Sequence, residues 1–185
     1  CSAAWSARCD SISNWAAMRI WAHLALVILM LICSGLGRAQ DSAAVRLGFL
    51  LNFARYVDWP ESLKPGAPLR LCLAPGDGDM ASKADELANQ VVQGHAIQIR
   101  KVAHPSDAED CQIVYLPANL PAATLPSWLV VADRSNILTV SEIPDFIEAG
   151  GMIGLVAEGG RYRFDANLVN ARRAGVRLSA YLLKL

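Results

Sequence analysis

No charge of one sign dominates this chain: 17 Lys and Arg stand against 17 Asp and Glu over 185 residues. A protein whose main partner is nucleic acid needs a basic excess to displace counterions from phosphates. That partner class is excluded. Internal repeats and low-complexity tracts are missing too, and the one proline-rich passage, Leu116 to Pro126, is too short to link domains. Cysteine is sparse. Of the five, Cys1, Cys9 and Cys33 precede residue 40, and only Cys72 and Cys111 follow it. Long apolar runs are rare as well. The uncharged stretch from Leu24 to Gly37 falls short of the roughly 18–20 residues that a spanning helix needs.

That short run reads better as the core of a secretory leader. Met18-Arg19 supplies a start and a positive charge, and Gly37-Arg38-Ala39 supplies small residues at the −3 and −1 positions of a cleavage site. Cleavage is expected after Ala39, with residues 1–17 as upstream sequence and 40–185 as a single α/β domain. A retained membrane anchor is the alternative; a lipid-attachment site is disfavoured because Ile32 precedes Cys33. Cleavage would leave Cys72 and Cys111 as the whole thiol complement. In an oxidising compartment such a pair is expected to form a disulfide, with two separate buried thiols as the other possibility. The bridge would close a loop of about 40 residues, worth about 4 kcal/mol in the chain-entropy model.

Catalytic motifs are scarce. Gly76-Asp77-Gly78 sits between a strand and a helix, where a phosphate loop would lie. It lacks the third glycine of the dinucleotide fingerprint and the Gly-Lys-Ser/Thr of a P-loop. A plain strand-to-helix turn is the expectation. Asp77 and Asp79 alternate like the start of a calcium loop, without the remaining ligands. His95 and His104 have no metal-ligand spacing and read as solvated loop histidines. There is no G-x-S-x-G elbow, and Cys72 lies inside an apolar strand rather than in the environment of a reactive thiolate. Arg172, Arg173, Arg177 and Lys184 form a modest basic cluster, read as the wet side of the last two helices. No cofactor, metal or enzymatic activity is implied.

What is present is an alternation of strands and helices. Residues 43–58 predict a helix, with Val45, Phe49, Leu50, Phe53, Ala54 and Val57 on one face and Arg46 largely elsewhere, stopped by Pro60. Strands are expected over 69–73, 97–102, 112–116, 128–132 and 137–140, and a helix over 80–91. Ser141 should cap a helix over 142–149 that Gly150-Gly151 ends. Residues 152–157 and 161–167 read as a hairpin around Glu158-Gly159-Gly160. A helix over 168–174 stops at Gly175, and 178–185 is a final amphipathic segment. The order predicts an α/β fold: a layered, mixed but mainly parallel sheet flanked by helices, with a C-terminal β-hairpin.

Three stretches together resemble the YfiR/HmsC-like periplasmic proteins. They are Leu51-Asn52-Phe53-Ala54-Arg55-Tyr56-Val57-Asp58-Trp59-Pro60; the Cys72 strand with Asp110-Cys111-Gln112-Ile113-Val114-Tyr115; and the passage from Ile137 through Phe146, Gly150-Gly151-Met152-Ile153, Arg163-Phe164 and Asn167 to Ala174-Gly175-Val176-Arg177-Leu178-Ser179. The resemblance covers essentially 45–185. It implies a non-catalytic periplasmic regulator, often a homodimer. Such a regulator represses a membrane-bound diguanylate cyclase by binding its periplasmic domain, and so acts on cyclic di-GMP and biofilm. Cys72 and Cys111 fit the family's structural pair. Some members carry a second pair near Gly150-Gly151-Met152, where this chain has no cysteine, which weakens a redox switch. Asn52, Phe53, Tyr56, Trp59, Pro60, Gly150, Gly151, Phe164 and Asn167 carry the motif, and each could serve packing or a partner. The alternative function is a periplasmic small-molecule-binding module for a transporter or sensor.

Overall fold

A computed structural model describes residues 42–59, 63–88 and 90–182. The leader, its cleavage site, Pro60 and residues 183–185 lie outside the described residues. The first helix, α1 (Ser42–Tyr56), buries Ala43, Arg46, Leu47, Leu50, Phe53 and Ala54. That spacing follows the helical period, so one stripe faces the core. Gln93 accompanies its end, donating from Nε2 to the carbonyls of Arg55 (2.8 Å) and Val57 (2.9 Å). The chain then leaves as β1 (Val57–Asp58), which pairs antiparallel with β9 (Arg177–Leu178).

A seven-stranded sheet forms the centre. Its strands are β2 (Leu69–Leu73), β3 (Val91–Val92), β4 (His95–Lys101), β5 (Ile113–Leu116), β6 (Leu138–Ser141), β7 (Ile153–Glu158) and β8 (Arg161–Ala166), in the order β3-β4-β2-β5-β6-β7-β8. The pairs β4-β2, β2-β5, β5-β6 and β6-β7 are parallel. Both outer strands run antiparallel to their neighbours, and β7 with β8 is the expected hairpin. The mixed, mainly parallel α/β sheet predicted from the element order is therefore the architecture observed.

Two apolar layers sandwich the sheet. Leu69, Leu71, Ile113, Tyr115, Leu138 and Val140 join α1 on one side. Cys72, Val114 and Leu116 join Leu125, Trp128 and Ala132 on the other. Every residue of β5 is buried, because alternate side chains enter different layers. Cys72 in β2 and Cys111 just before β5 are joined by a disulfide across 39 residues, with Cα atoms 6.1 Å apart. Adjacency of the two strands brings the sulfurs together.

Three local expectations are corrected. Residues 128–132 are not a strand but the middle of α3 (Leu125–Arg134), with Pro126 in its first turn. The run is uniformly apolar, so its period is concealed; Leu125, Trp128 and Ala132 are buried while Val130 is 56% exposed. Residues 142–149 form successive turns and no regular helix. Asp145 takes φ +55°, and Ser141 ends β6, its Oγ accepting from the Ile143 N–H at 2.9 Å and donating to the Leu116 carbonyl at 2.8 Å. The helix expected over 80–91 is shorter: α2 (Gly78–Lys83) continues as a 3-10 turn over Ala84–Leu87, and Val91 already belongs to β3. Further on, α4 (Leu168–Arg173) starts at Asn167, whose side chain accepts from the Asn170 N–H at 3.0 Å, as expected of a cap.

Candidate functional site

Parallel sheets concentrate chain reversals beyond the carboxyl ends of their strands, where ligand sites usually lie. Here three strands deliver polar groups to that end, and α1 crosses them. Tyr115 comes from β5, Glu142 directly follows β6, and Asp77 lies in the turn after β2. Arg46 on the buried stripe of α1 meets all three. Its Nη1 donates to Asp77 Oδ2 at 2.7 Å, to Glu142 Oε2 at 2.6 Å and to Tyr115 Oη at 3.1 Å. Its Nε donates to the Ser42 carbonyl at 3.2 Å. The Tyr115 hydroxyl in turn donates to Glu142 Oε2 at 2.6 Å. Asp77 has a second role, accepting the Met80 N–H at 2.9 Å as the N-cap of α2.

The side chains of Arg46, Asp77 and Glu142 are only 11%, 15% and 14% exposed, so their interactions are weakly screened. Burial, with the hydrogen bond and charge of Glu142, lifts the Tyr115 phenol far above its ordinary range and keeps it neutral. Burial opposes the charge on Arg46, but the hydrogen bond to Glu142 and the surrounding oxygens outweigh it and push its pKa above the usual arginine value. Tyr162 on β8 is raised by burial and then by Glu142. One guanidinium thus holds two carboxylates and a phenol, and the phenol proton is committed to a carboxylate. Among the described residues no buried side-chain polar atom lacks a partner, and no group of three metal-ligating side chains gathers. The cluster is built to tie α1 to the ends of three strands.

Arg46 was missed in the sequence because its neighbours made it look like the wet side of the helix. The usable signal was its position three and four residues from Ala43 and Leu50, on the apolar stripe, where a cation requires buried acids. Asp77 caps α2 and pairs with Arg46. His95 lies in β4 with Nδ1 2.7 Å from the Ala67 carbonyl oxygen, and His104 is exposed at the head of a short 3-10 turn.

The family-motif residues gather in two other places. Phe53 is fully buried and meets Phe164 edge-on with centroids 5.3 Å apart, and Phe49 adds a third ring. Tyr56 and Trp59 are half-buried, and Trp59 Nε1 donates to the Ala54 carbonyl at 3.1 Å; Asn52 is half-exposed on the same helix. The second group frames the turn after β6. Gly150 takes φ +107°, and a Cβ on Gly151 would overlap the Phe146 ring. Asn167 holds the start of α4 and donates its backbone N–H to Met152 at 2.8 Å. Neither group converges with the Arg46 cluster except where Tyr162 approaches Glu142. Of the basic residues near the C-terminus, Arg172 and Arg177 line a cleft of about 680 Å³ with Asp58, Leu168 and Val176, while Arg173 pairs with Asp133 at 3.1 Å.

A family profile described as YfiR/HmsC-like matches residues 43–185, and the chain belongs to that family. Its members are periplasmic regulators of biofilm formation and cyclic di-GMP signalling. Among solved structures, a conserved domain protein from Vibrio cholerae O1 biovar El Tor is similar in part, at 14% identity and a TM-score of 0.44. The match covers 63% of this chain and 53% of that one, so the chain spans about half the length of that protein.

Proposed function

From that membership we propose that the chain is a non-catalytic periplasmic repressor that binds the periplasmic domain of an inner-membrane diguanylate cyclase and lowers cyclic di-GMP. The observation that carries this reading is the family match across residues 43–185. In this reading the polar cluster at the strand ends is a structural tie, with Arg46, Asp77, Tyr115 and Glu142 hydrogen-bonded to one another. The Cys72–Cys111 bridge supports an oxidising compartment. In this reading residues 18–39 are a leader cut after Ala39, the single domain starts at Gln40, and the working form is a homodimer. The motif residues Asn52, Phe53, Tyr56, Trp59, Pro60, Gly150, Gly151, Phe164 and Asn167 shape the domain that the cyclase recognises.

The test is genetic and direct. Deleting the gene should raise intracellular cyclic di-GMP and biofilm, and restoring it in the periplasm should reverse both. An unchanged cyclic di-GMP level in the deletion strain sinks the proposal. A second reading, a small-molecule-binding module, has one observation in its favour: the cleft that Arg172, Arg177 and Asp58 help to line. Such a site suits a small anion or zwitterion. Calorimetric titration with amino acids and small carboxylates, with Arg177→Ala as control, separates the two readings.

A further inference from the structure

The sheet ends at β8. Among the described residues no strand pairs with its outer edge, whereas the opposite edge is the two-residue β3. Long bare edges invite pairing with another chain, and proteins usually blunt them with proline, bulges or repeated charge. β8 has neither proline nor bulge, and its charged residues, Arg161, Arg163 and Asp165, are of mixed sign rather than a run of one charge. Its register with β7 is continuous from Ile153↔Ala166 to Glu158↔Arg161.

The hairpin loop fixes which backbone groups are free. Gly159 and Gly160 both take positive φ, +57° and +76°, the signature of a type I′ turn. Such a turn closes on a hydrogen-bonded pair, here Glu158 with Arg161. Pairing alternates from there, so Arg163 and Asp165 also spend their backbone groups on β7. The N–H and C=O groups of Tyr162, Phe164 and Ala166 consequently point to the open edge.

The side chains on this edge are self-complementary. Arg161, Arg163 and Asp165 are exposed on one face, and Tyr162 and Phe164 are half-buried on the other. An antiparallel copy related by a two-fold axis at Phe164 sets Phe164 against Phe164, Tyr162 against Ala166 and Arg163 against Asp165, twice. The free backbone groups then face one another. Moving the axis to Arg163 would oppose two guanidiniums, and moving it to Asp165 would oppose two carboxylates, each unfavourable across strands. A hollow of about 430 Å³ beside the strand, lined by Phe49, Tyr162, Phe164 and Leu168, leaves room for the aromatic side chains of the copy.

We propose that β8 is the self-association edge of this protein: two copies pair β8 to β8, antiparallel and centred on Phe164, and so join their sheets into one. The proposal rests on the homodimer reading above and names its surface. In analytical ultracentrifugation of chain 40–185, the wild type should sediment as a dimer. Asp165→Arg sets arginine against Arg163 at both ends and should weaken the dimer about tenfold or more. The swap Arg163→Asp/Asp165→Arg restores both opposite-charge pairs and should restore the dimer. A monomeric wild type, an Asp165→Arg variant as dimeric as wild type, or a swap that stays monomeric overturns the proposal. An axis at Arg163 predicts the last result, because it pairs position 161 with position 165 and the swap would set Arg161 against the new arginine at both ends. Cyclic di-GMP measured in the deletion strain reports on repression alone, so failure of that reading is distinguishable from failure of this edge.

Discussion

Position 46 holds a cation where helical packing asks for an apolar residue. Arg46 is 9% exposed, between Ala43 and Leu50 on the stripe that faces the sheet. Such a charge persists because Asp77 and Glu142 arrive from two different strand ends. Removing one member strands the others, whereas neutralising all three together does not. Arg46→Met should therefore cost about 3 kcal/mol in urea unfolding. The triple variant Arg46→Met/Asp77→Asn/Glu142→Gln should recover most of that loss, since Asn keeps the cap at α2. Equal stability of Arg46→Met and wild type would show that the cluster contributes nothing. Which acids would neutralise Arg46 was not legible in the sequence, because they lie 31 and 96 residues away along the chain.

At the scale of elements, most strands and the last helix were legible, and the misreading of 128–132 has a plain cause. An apolar run of five residues fits a buried strand and a half-buried helix equally well. In α3 the tertiary environment chose the helix, burying Trp128 and leaving Val130 outside. Val130→Lys should accordingly change stability by no more than about 0.5 kcal/mol, while Trp128→Ala should cost about 3–5 kcal/mol. Comparable losses from both would contradict the helix. The 142–149 segment failed as a helix for a different reason: Ser141 is drawn into β6, and Asp145 turns left-handed. Strand adjacency also decides what the cysteines do. Thermal melts of Cys72→Ser/Cys111→Ser should show a loss of about 3–4 kcal/mol. Dithiothreitol should lower the wild-type midpoint and leave the double variant unmoved; a wild type indifferent to reductant would mean that the bridge adds no stability.

At the scale of the whole molecule, the polar cluster links stability to pH in the alkaline range. The folded protein holds the Tyr115 proton far above the pH at which an unfolded tyrosine releases it. A group with a raised folded pKa contributes stability that is complete below its unfolded pKa and is lost as pH rises beyond it. Stability should thus begin to fall above pH about 10, by about 1.4 kcal/mol per pH unit for one proton. Tyr115→Phe should flatten that slope in urea titrations between pH 9 and 11; an unchanged slope would assign the alkaline loss elsewhere. The sequence by itself determined the alternation of strands and helices, the late hairpin, the cysteine pair and the family, because periodicity, turn glycines and ordered motifs are local properties of the chain. Only the tertiary structure decided that 128–132 is helical, that the strand carrying Cys72 lies beside the one Cys111 leads into, that Arg46 is buried among acids, and that β8 is the last strand of the sheet among the described residues. Each of these depends on which distant segments become neighbours, and strand order is a property of the packed molecule that no stretch of residues carries alone.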